Sequence, residues 1–319
     1  MLFAFFAANV NSAKAAEKKM EVVPVTINWH PQAYYVAFCL GKLKNFYEAE
    51  GIDLKIETGA GEAITATRVT GEERRFGTLS ASFILKQNQK ENSIVAVSGI
   101  FQRNMMGIYY RKSAGNGIKQ PSDLAGKKIY TSPASKAEYL ALFLEQMNLR
   151  EKVKVIYTSG DSLRTDLQLF LLGHTDVVAA TCFQDMYEKR SPNPADVGLF
   201  CFDDYDSKLI TLMLVTSSKT ISKNPELVKR FVRATNKSLD YAMRHPEEAA
   251  RAFLFYYPKL NYEEELRCFK RIIPFILSYD GKLGYMSRQD WEKIERLLLK
   301  TGGLRTNVDV SKVYTNKFQ

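Results

Sequence analysis

The chain has 319 residues, 45% hydrophobic and 25% charged, the balance of a globular protein rather than a disordered or fibrous one. That length accommodates two lobes, each with its own core, and nothing after residue 20 approaches the ~18 consecutive apolar residues a membrane span needs. The net charge of +10 comes from Lys and Arg mixed with Glu along helical stretches such as NPELVKRFVRATNKSL, so solvated faces account for it and no nucleic-acid partner is expected.

Residues 1–20 read as an export signal, although no basic residues precede the apolar run LFAFFAANV. In NSAKAAEKK, Ala13-Lys14-Ala15 fits the small-x-small cleavage rule. No Cys stands at the cleavage point, so a soluble periplasmic protein is expected rather than a lipid-anchored one.

From Val22 to Lys112 short apolar strands alternate with amphipathic helices. Val25–Ile27 is a strand that ends in Asn28, Trp29, His30 and Pro31. A helix follows, with Tyr34 and Tyr35 in or just before its first turn. Gly51 ends that helical stretch, and Ile52, Leu54 and Ile56 alternate as a second strand. Residues 63–70 read as a helix, 76–79 as a strand, and 80–89 as a helix capped by Ser80 or Ser82. Further strands are expected over 94–98 and 107–110. The turn-rich SAGNGIKQPSDLAGKK then marks a new unit.

The second series runs through strands at 128–130, 153–157 and 176–180, with helices over SPASKAEYLALFLEQMNL and 163–172. Residues 181–190 begin as a possible site loop and run into a helix. A strand at 209–215 is placed to return to the first sheet. Beyond it the pattern is helical: 225–244, 246–256, 262–278 and 287–300, the last opened by a near capping box at Ser287 and Asp290. This organisation predicts an α/β protein with lobe 1 over 22–112 and 210–319, lobe 2 over 113–209, two chain crossings, and a ligand cleft between lobes that closes by hinge motion.

Catalytic motifs are absent: no GxSxG, HExxH, GxxxxGK[ST] or GxGxxG occurs. Of the three histidines, His174 and His245 stand at helix ends, and only His30 lies in the aromatic loop. The Gly59–Glu62 turn either holds an anion or is a plain tight turn. Cys39, Cys182, Cys201 and Cys268 show no CxxC spacing or neighbouring His cluster, so neither metal nor cofactor is expected. Buried thiols are the default for Cys39 and Cys268. A Cys182–Cys201 bridge stays open, since both fall in one lobe.

Binding residues are more legible. Trp29, Tyr34 and Tyr35 offer flat faces at the carboxyl end of a strand, where open α/β sheets place ligands. Adjacent helical residues point different ways, so one tyrosine belongs to the core if the other faces the cleft. Asn28 and His30 are polar partners. The hydroxyls of Ser80 and Ser82 serve either as caps or as contacts for a polar edge or an anion. Gln102 follows the 94–98 strand, Ser135 and Lys136 lie in the loop entering the second lobe's first helix, and Phe183 and Asp185 follow the 176–180 strand. Asp204 and Tyr205 precede the late strand. A carboxylate there suits an amino-substituted ring, because an ionised carboxylate only accepts hydrogen bonds.

NWHPQAYYVAFCLGKLKNFYEAEGIDL, IKQPSDLAGKKI, LLGHTDVV and FDDYDSKLITLMLVTSSKTISKNPELVKRF together resemble the periplasmic solute-binding proteins of ABC importers, in the branch that contains thiamine-pyrimidine, sulfonate and nitrate binders. The ending GYMSRQDWEKIERLLLKTGGL is similar to the thiamine-pyrimidine members. The resemblance implies a type II periplasmic-binding-protein fold, a monomer without catalytic activity, and delivery of a small pyrimidine-like molecule to an inner-membrane ABC permease. Asn28 and Trp29 match that family's opening ligand-contact pair. Tyr34 and Tyr35 replace small residues, and Cys182, Phe183 and Gln184 replace an Asn-Glu pair. Alkanesulfonate or nitrate is the rival ligand. Pyrimidine-synthesising relatives of the same fold carry a CCCFC motif that this chain lacks.

Overall fold

A computed structural model describes residues 20–319 except 92, 116, 133–134, 159–162, 185 and 206. The expected export signal therefore lies outside the described residues, apart from Met20. Among the described residues there are ten strands: β1 (Glu21–Ile27), β2 (Ile52–Thr58), β3 (Phe76–Ser80), β4 (Ile94–Phe101), β5 (Met106–Arg111), β6 (Lys128–Thr131), β7 (Lys154–Tyr157), β8 (Val177–Thr181), β9 (Val197–Cys201) and β10 (Leu212–Ser217). They form two five-stranded mixed sheets, ordered β2-β1-β3-β10-β4 and β7-β6-β8-β5-β9. Twelve helices accompany them: α1 (Val36–Leu43), α2 (Phe46–Ala49), α3 (Glu62–Gly71), α4 (Ala81–Asn88), α5 (Ser135–Gln146), α6 (Leu163–Leu171), α7 (Met186–Lys189), α8 (Ser218–Lys223), α9 (Pro225–Arg244), α10 (Pro246–Tyr256), α11 (Tyr262–Ile272) and α12 (Arg288–Thr301). Among the described residues no helix is long and apolar enough to cross a membrane.

This is the periplasmic-binding-protein fold of two α/β lobes. The late strand does return: β10 inserts antiparallel between β3 and β4, pairing Leu214 with Thr78 on one side and Ser98 on the other. Strands β3, β4, β8 and β10 are buried along their whole length, as strands covered on both faces must be. Helix α9 buries Leu227, Val228, Phe231, Val232 and Leu239, the predicted 3.6-residue stripe, and the Phe231 ring stacks on Phe76 at 3.8 Å.

Two boundaries differ from expectation for local reasons. The helix predicted over 262–278 ends at Ile272 and continues as a 3-10 turn, Ile273–Phe275. Pro274 lacks an N–H and its ring crowds the carbonyl four residues back. The aromatic pair Tyr34 and Tyr35 lies just before α1, as expected, in a 3-10 turn over Ala33–Tyr35. The strand predicted over 209–215 pairs only from Leu212, because the residues before it form the crossing from β9.

Lobe 1 does not reach residue 112 as expected, because β5 pairs with β8 and β9 in the lobe 2 sheet; the first crossing is therefore at residues 102–105, and it is tied to the second, between β9 and β10. Asn104 Nδ2 donates to the Ser207 carbonyl and hydroxyl, both at 3.1 Å, and the Asn104 N–H donates to Asp203 at 3.2 Å. Helix α12 packs on both α4 of lobe 1 and α5 of lobe 2. Its start is capped by Ser287, which accepts from the Asp290 N–H at 3.2 Å, and its end by Gly302 at φ 78°, the left-handed conformation that glycine adopts without strain.

Candidate functional site

The segments that follow β1 and β2 approach lobe 2: Tyr34 meets Phe183 after β8, and Glu62 lines one cavity with Glu138 and Tyr157. On the lobe 1 side, Asn28 leaves β1 with its backbone N–H on Thr78 Oγ1 at 3.0 Å. Its Oδ1 accepts from the Thr78 hydroxyl at 2.9 Å and from the Tyr35 hydroxyl at 2.6 Å. With Oδ1 occupied, the side-chain NH2 is the group Asn28 has left to present, which makes it a donor to a ligand acceptor. The two tyrosines take different roles. Tyr35 is buried in the lobe 1 core, whereas Tyr34 is half-buried and its ring meets Phe183 of lobe 2 at 5.8 Å and Phe101 at 6.1 Å. Trp29 is half-buried, with the edge of its ring against exposed His30 at 5.1 Å.

Ser80 and Ser82 are buried. Ser80 Oγ caps α4 by accepting from the Phe83 N–H at 3.2 Å, and it lies 3.2 Å from Ser82 Oγ. The Ser80 N–H donates to Glu62 Oε1 at 2.6 Å. The Glu62 carboxyl thus occupies the Ser80 N–H at the start of α4, and burial raises its pKa. Gln102 is buried outside the cleft, its amide donating to the carbonyls of Ile276 (3.2 Å) and Lys282 (2.9 Å). Asp204 is exposed on the second crossing, and Tyr205 packs edge-on against Phe143 and Phe200 in the lobe 2 core. Ser135 opens α5, and Asp185 lies outside the described residues.

Lobe 2 contributes a polar cluster. Asp166, fully buried, accepts from the Ser132 N–H at 3.0 Å and the Thr158 hydroxyl at 2.7 Å. Lys136 lies close enough to feel its charge, and burial of its ammonium lowers the pKa. Thr181 Oγ1 and Gln184 Oε1, on either side of Cys182 and Phe183, are buried with no hydrogen-bond partner among the described residues. Buried polar atoms normally have partners, and orphans at a cleft are what a ligand satisfies. Asp166 had been hidden in the ordinary surface pattern of α6; only its return to the β6 and β7 ends reveals it.

Cys182 and Cys201 are disulfide-bonded, Cα atoms 5.7 Å apart, fastening the end of β8 to the end of β9 across β5. Cys39 and Cys268 are both buried. Among the described residues no group of three or more His, Cys, Asp or Glu is placed to hold a metal. An open interlobe cavity of about 650 Å³ lies beside the cleft, bounded by Glu62, Lys86, Glu138 and Tyr157. Its two lobes are bridged by an ion pair between Lys86 and Glu138 at 2.8 Å.

Glu265 on α11 is half-buried against the turn that carries Tyr34 and accepts from the Ala33 N–H; burial pushes its pKa up to about 7. A carboxyl with a higher pKa folded than unfolded keeps its proton longer in the folded state. Its contribution is fully present below about pH 4.5 and lost as pH rises through about 7. Unfolding free energy measured in urea should therefore carry a falling component over that window, at most on the order of 1 kcal/mol per pH unit. Glu265→Gln should remove it; an unchanged pH slope in that variant would refute the assignment.

Residues 32–249 match the model of the NMT1/THI5-like family. A 4-amino-5-hydroxymethyl-2-methylpyrimidine phosphate synthase of Legionella pneumophila is 22% identical, covering 93% of this chain and 92% of that protein. The riboflavin-binding protein RibY of Chloroflexus aurantiacus is also 22% identical, over 96% and 88%. The periplasmic aliphatic sulphonate binding protein SsuA of Escherichia coli superposes with a TM-score of 0.71 at 13% identity, over 92% of this chain and 91% of that one. The expectation that the resemblance excludes catalysis is overturned, because named relatives across most of the chain's length are synthases. A family match over two thirds of the chain, with the fold to go with it, makes the chain a member of the NMT1/THI5-like family.

Proposed function

We propose that the interlobe cleft captures a flat nitrogen heterocycle of the thiamine-pyrimidine type, and that the protein serves in the periplasm as the substrate-binding component of an ABC importer. The carrying observation is the pairing of Tyr34 from lobe 1 with Phe183 from lobe 2 at 5.8 Å, flanked by the unpartnered Thr181 Oγ1 and Gln184 Oε1. Parting the lobes separates the two rings, whose planes are inclined by 58°, and a planar ligand between them stacks on one ring and meets the edge of the other when the lobes close again. Asn28 donates and Gln184 Oε1 accepts, a polarity that suits a ring bearing both an acceptor nitrogen and an amino group. The names of the relatives agree in kind, since the synthases make a pyrimidine and RibY binds riboflavin. The Cys182–Cys201 bridge supports an oxidising compartment, and the SsuA-like architecture supports partnership with a permease.

A second reading, a ligand carrying an anionic group, is favoured by Lys136, half-buried with no salt-bridge partner among the described residues. Thermal unfolding separates the two. An aminopyrimidine at about 100 times its dissociation constant should add about 2.7 kcal/mol of stability, and Phe183→Ala or Trp29→Ala should remove the shift. Stabilisation by taurine or nitrate but not by the aminopyrimidine would overturn the first reading in favour of the second. Mass spectrometry of the co-purified small molecule identifies the ligand directly.

A further inference from the structure

We infer that α7 and α11 form an electrostatic clasp on the rim of the cleft, which sets how often the lobes are closed without any ligand. Helix α7 belongs to lobe 2 and directly follows the segment bearing Phe183. Helix α11 belongs to lobe 1 and packs on the turn bearing Tyr34. Two ion pairs join them: Arg190 to Glu264 at 2.6 Å and Glu188 to Arg271 at 3.4 Å. The charges are crossed, with lobe 2 giving one acid and one base and lobe 1 giving the complementary base and acid. Shifting one helix along the other moves acid toward acid and base toward base, so the pattern fixes register as well as approach.

The clasp joins the helix that follows Phe183 to the helix that packs on the turn bearing Tyr34, so it spans the same lobe boundary as the Tyr34–Phe183 contact. Parting the lobes breaks both pairs together with the ring contact. All four side chains are between 33% and 51% exposed, so water screens each pair and each contributes little alone. That weakness is the functional point, because a clasp of this strength tilts the equilibrium between open and closed forms without trapping either.

The test needs no ligand, so its outcome is independent of the proposed function. Spin labels at Leu172→Cys on lobe 2 and Phe255→Cys on lobe 1, both well exposed, report the interlobe distance by pulsed electron resonance in the full chain. Arg190→Glu should lower the closed-to-open ratio about fivefold, and the exchange Arg190→Glu with Glu264→Arg should bring it back to within about twofold of the parent. If either variant is poorly folded by circular dichroism, the parent protein decides: raising salt from about 0.05 to about 1 M should shift it toward open. A distance distribution unmoved by the single reversal, not restored by the exchange, or (in the parent) insensitive to salt overturns the clasp.

Discussion

A protein carrying Cys182→Ser and Cys201→Ser unfolds at lower denaturant concentration, with a loss of about 3 kcal/mol, the value expected from chain entropy for a closed loop of this size. The sequence separation of 19 residues encloses α7 and β9, so the reduced chain gains freedom mainly in its unfolded state. The native site changes too. Cys182 is adjacent to Phe183 and anchored to Cys201 on the neighbouring side of β5, so the serine variant also loosens the loop that presents Phe183 to Tyr34. Equilibrium unfolding in guanidinium of oxidised, reduced and serine forms checks this. Reduced and serine forms should coincide, both well below the oxidised one. Equal midpoints for all three would show that the bridge contributes no stability.

Trp291→Ala should cost about 3–5 kcal/mol, the range for truncating a large buried aromatic. Trp291 is fully buried on α12 and lies parallel to Tyr314 at 5.7 Å. Its helix packs on α4 and on α5, so the cavity left behind opens at the junction of both lobes. Urea unfolding supplies the measurement, with Trp291→Phe as the companion that keeps an aromatic ring and recovers most of the loss. A cost below about 1 kcal/mol for the alanine variant would mean that the junction collapses onto the vacated space.

The extent to which the fold was legible follows from where periodicity is strong. The stripe of α9, the cap of α12 at Ser287 and the alternation of β2 are local patterns, and the structure reproduces them. The limit of α11 was set by Pro274, a local signal outweighed by the apolar run that continues past it. The insertion of β10 between β3 and β4 is a long-range pairing, for which the sequence offered only a buried-looking strand after a crossing.

Asn28 and Tyr34 were legible as residues that follow a strand end, which is where the structure places them. Which tyrosine is buried and which meets Phe183 of lobe 2 was not legible, since that depends on the 3-10 turn that precedes α1. Ser80 and Ser82 carry the signature of a helix start, and their hydroxyls are engaged there with each other and with the cap. Gln102 follows a strand just as Asn28 does, but its strand leads into a chain crossing, where the amide is spent on carbonyls of the C-terminal segment. Asp166 and Glu265 were invisible because an acidic residue on an amphipathic helix looks solvated until another element covers it. In Glu265 the covering element is the turn that carries Tyr34.

The placement of β10 has a consequence for how the chain assembles as it is made. Lobe 2 is drawn from one continuous stretch, β5 through β9, and holds every strand of its sheet once Cys201 has emerged. Lobe 1 is not so favoured: β3 and β4 are synthesised early but are neighbours of β10, never of each other. Both strands therefore wait with an unpaired edge through the synthesis of the entire second lobe, and such edges recruit strands from other chains. Chains halted before Leu212 should accordingly resist protease over residues 106–201 and be cut readily over 21–101, whereas release of β10 confers protection on both lobes.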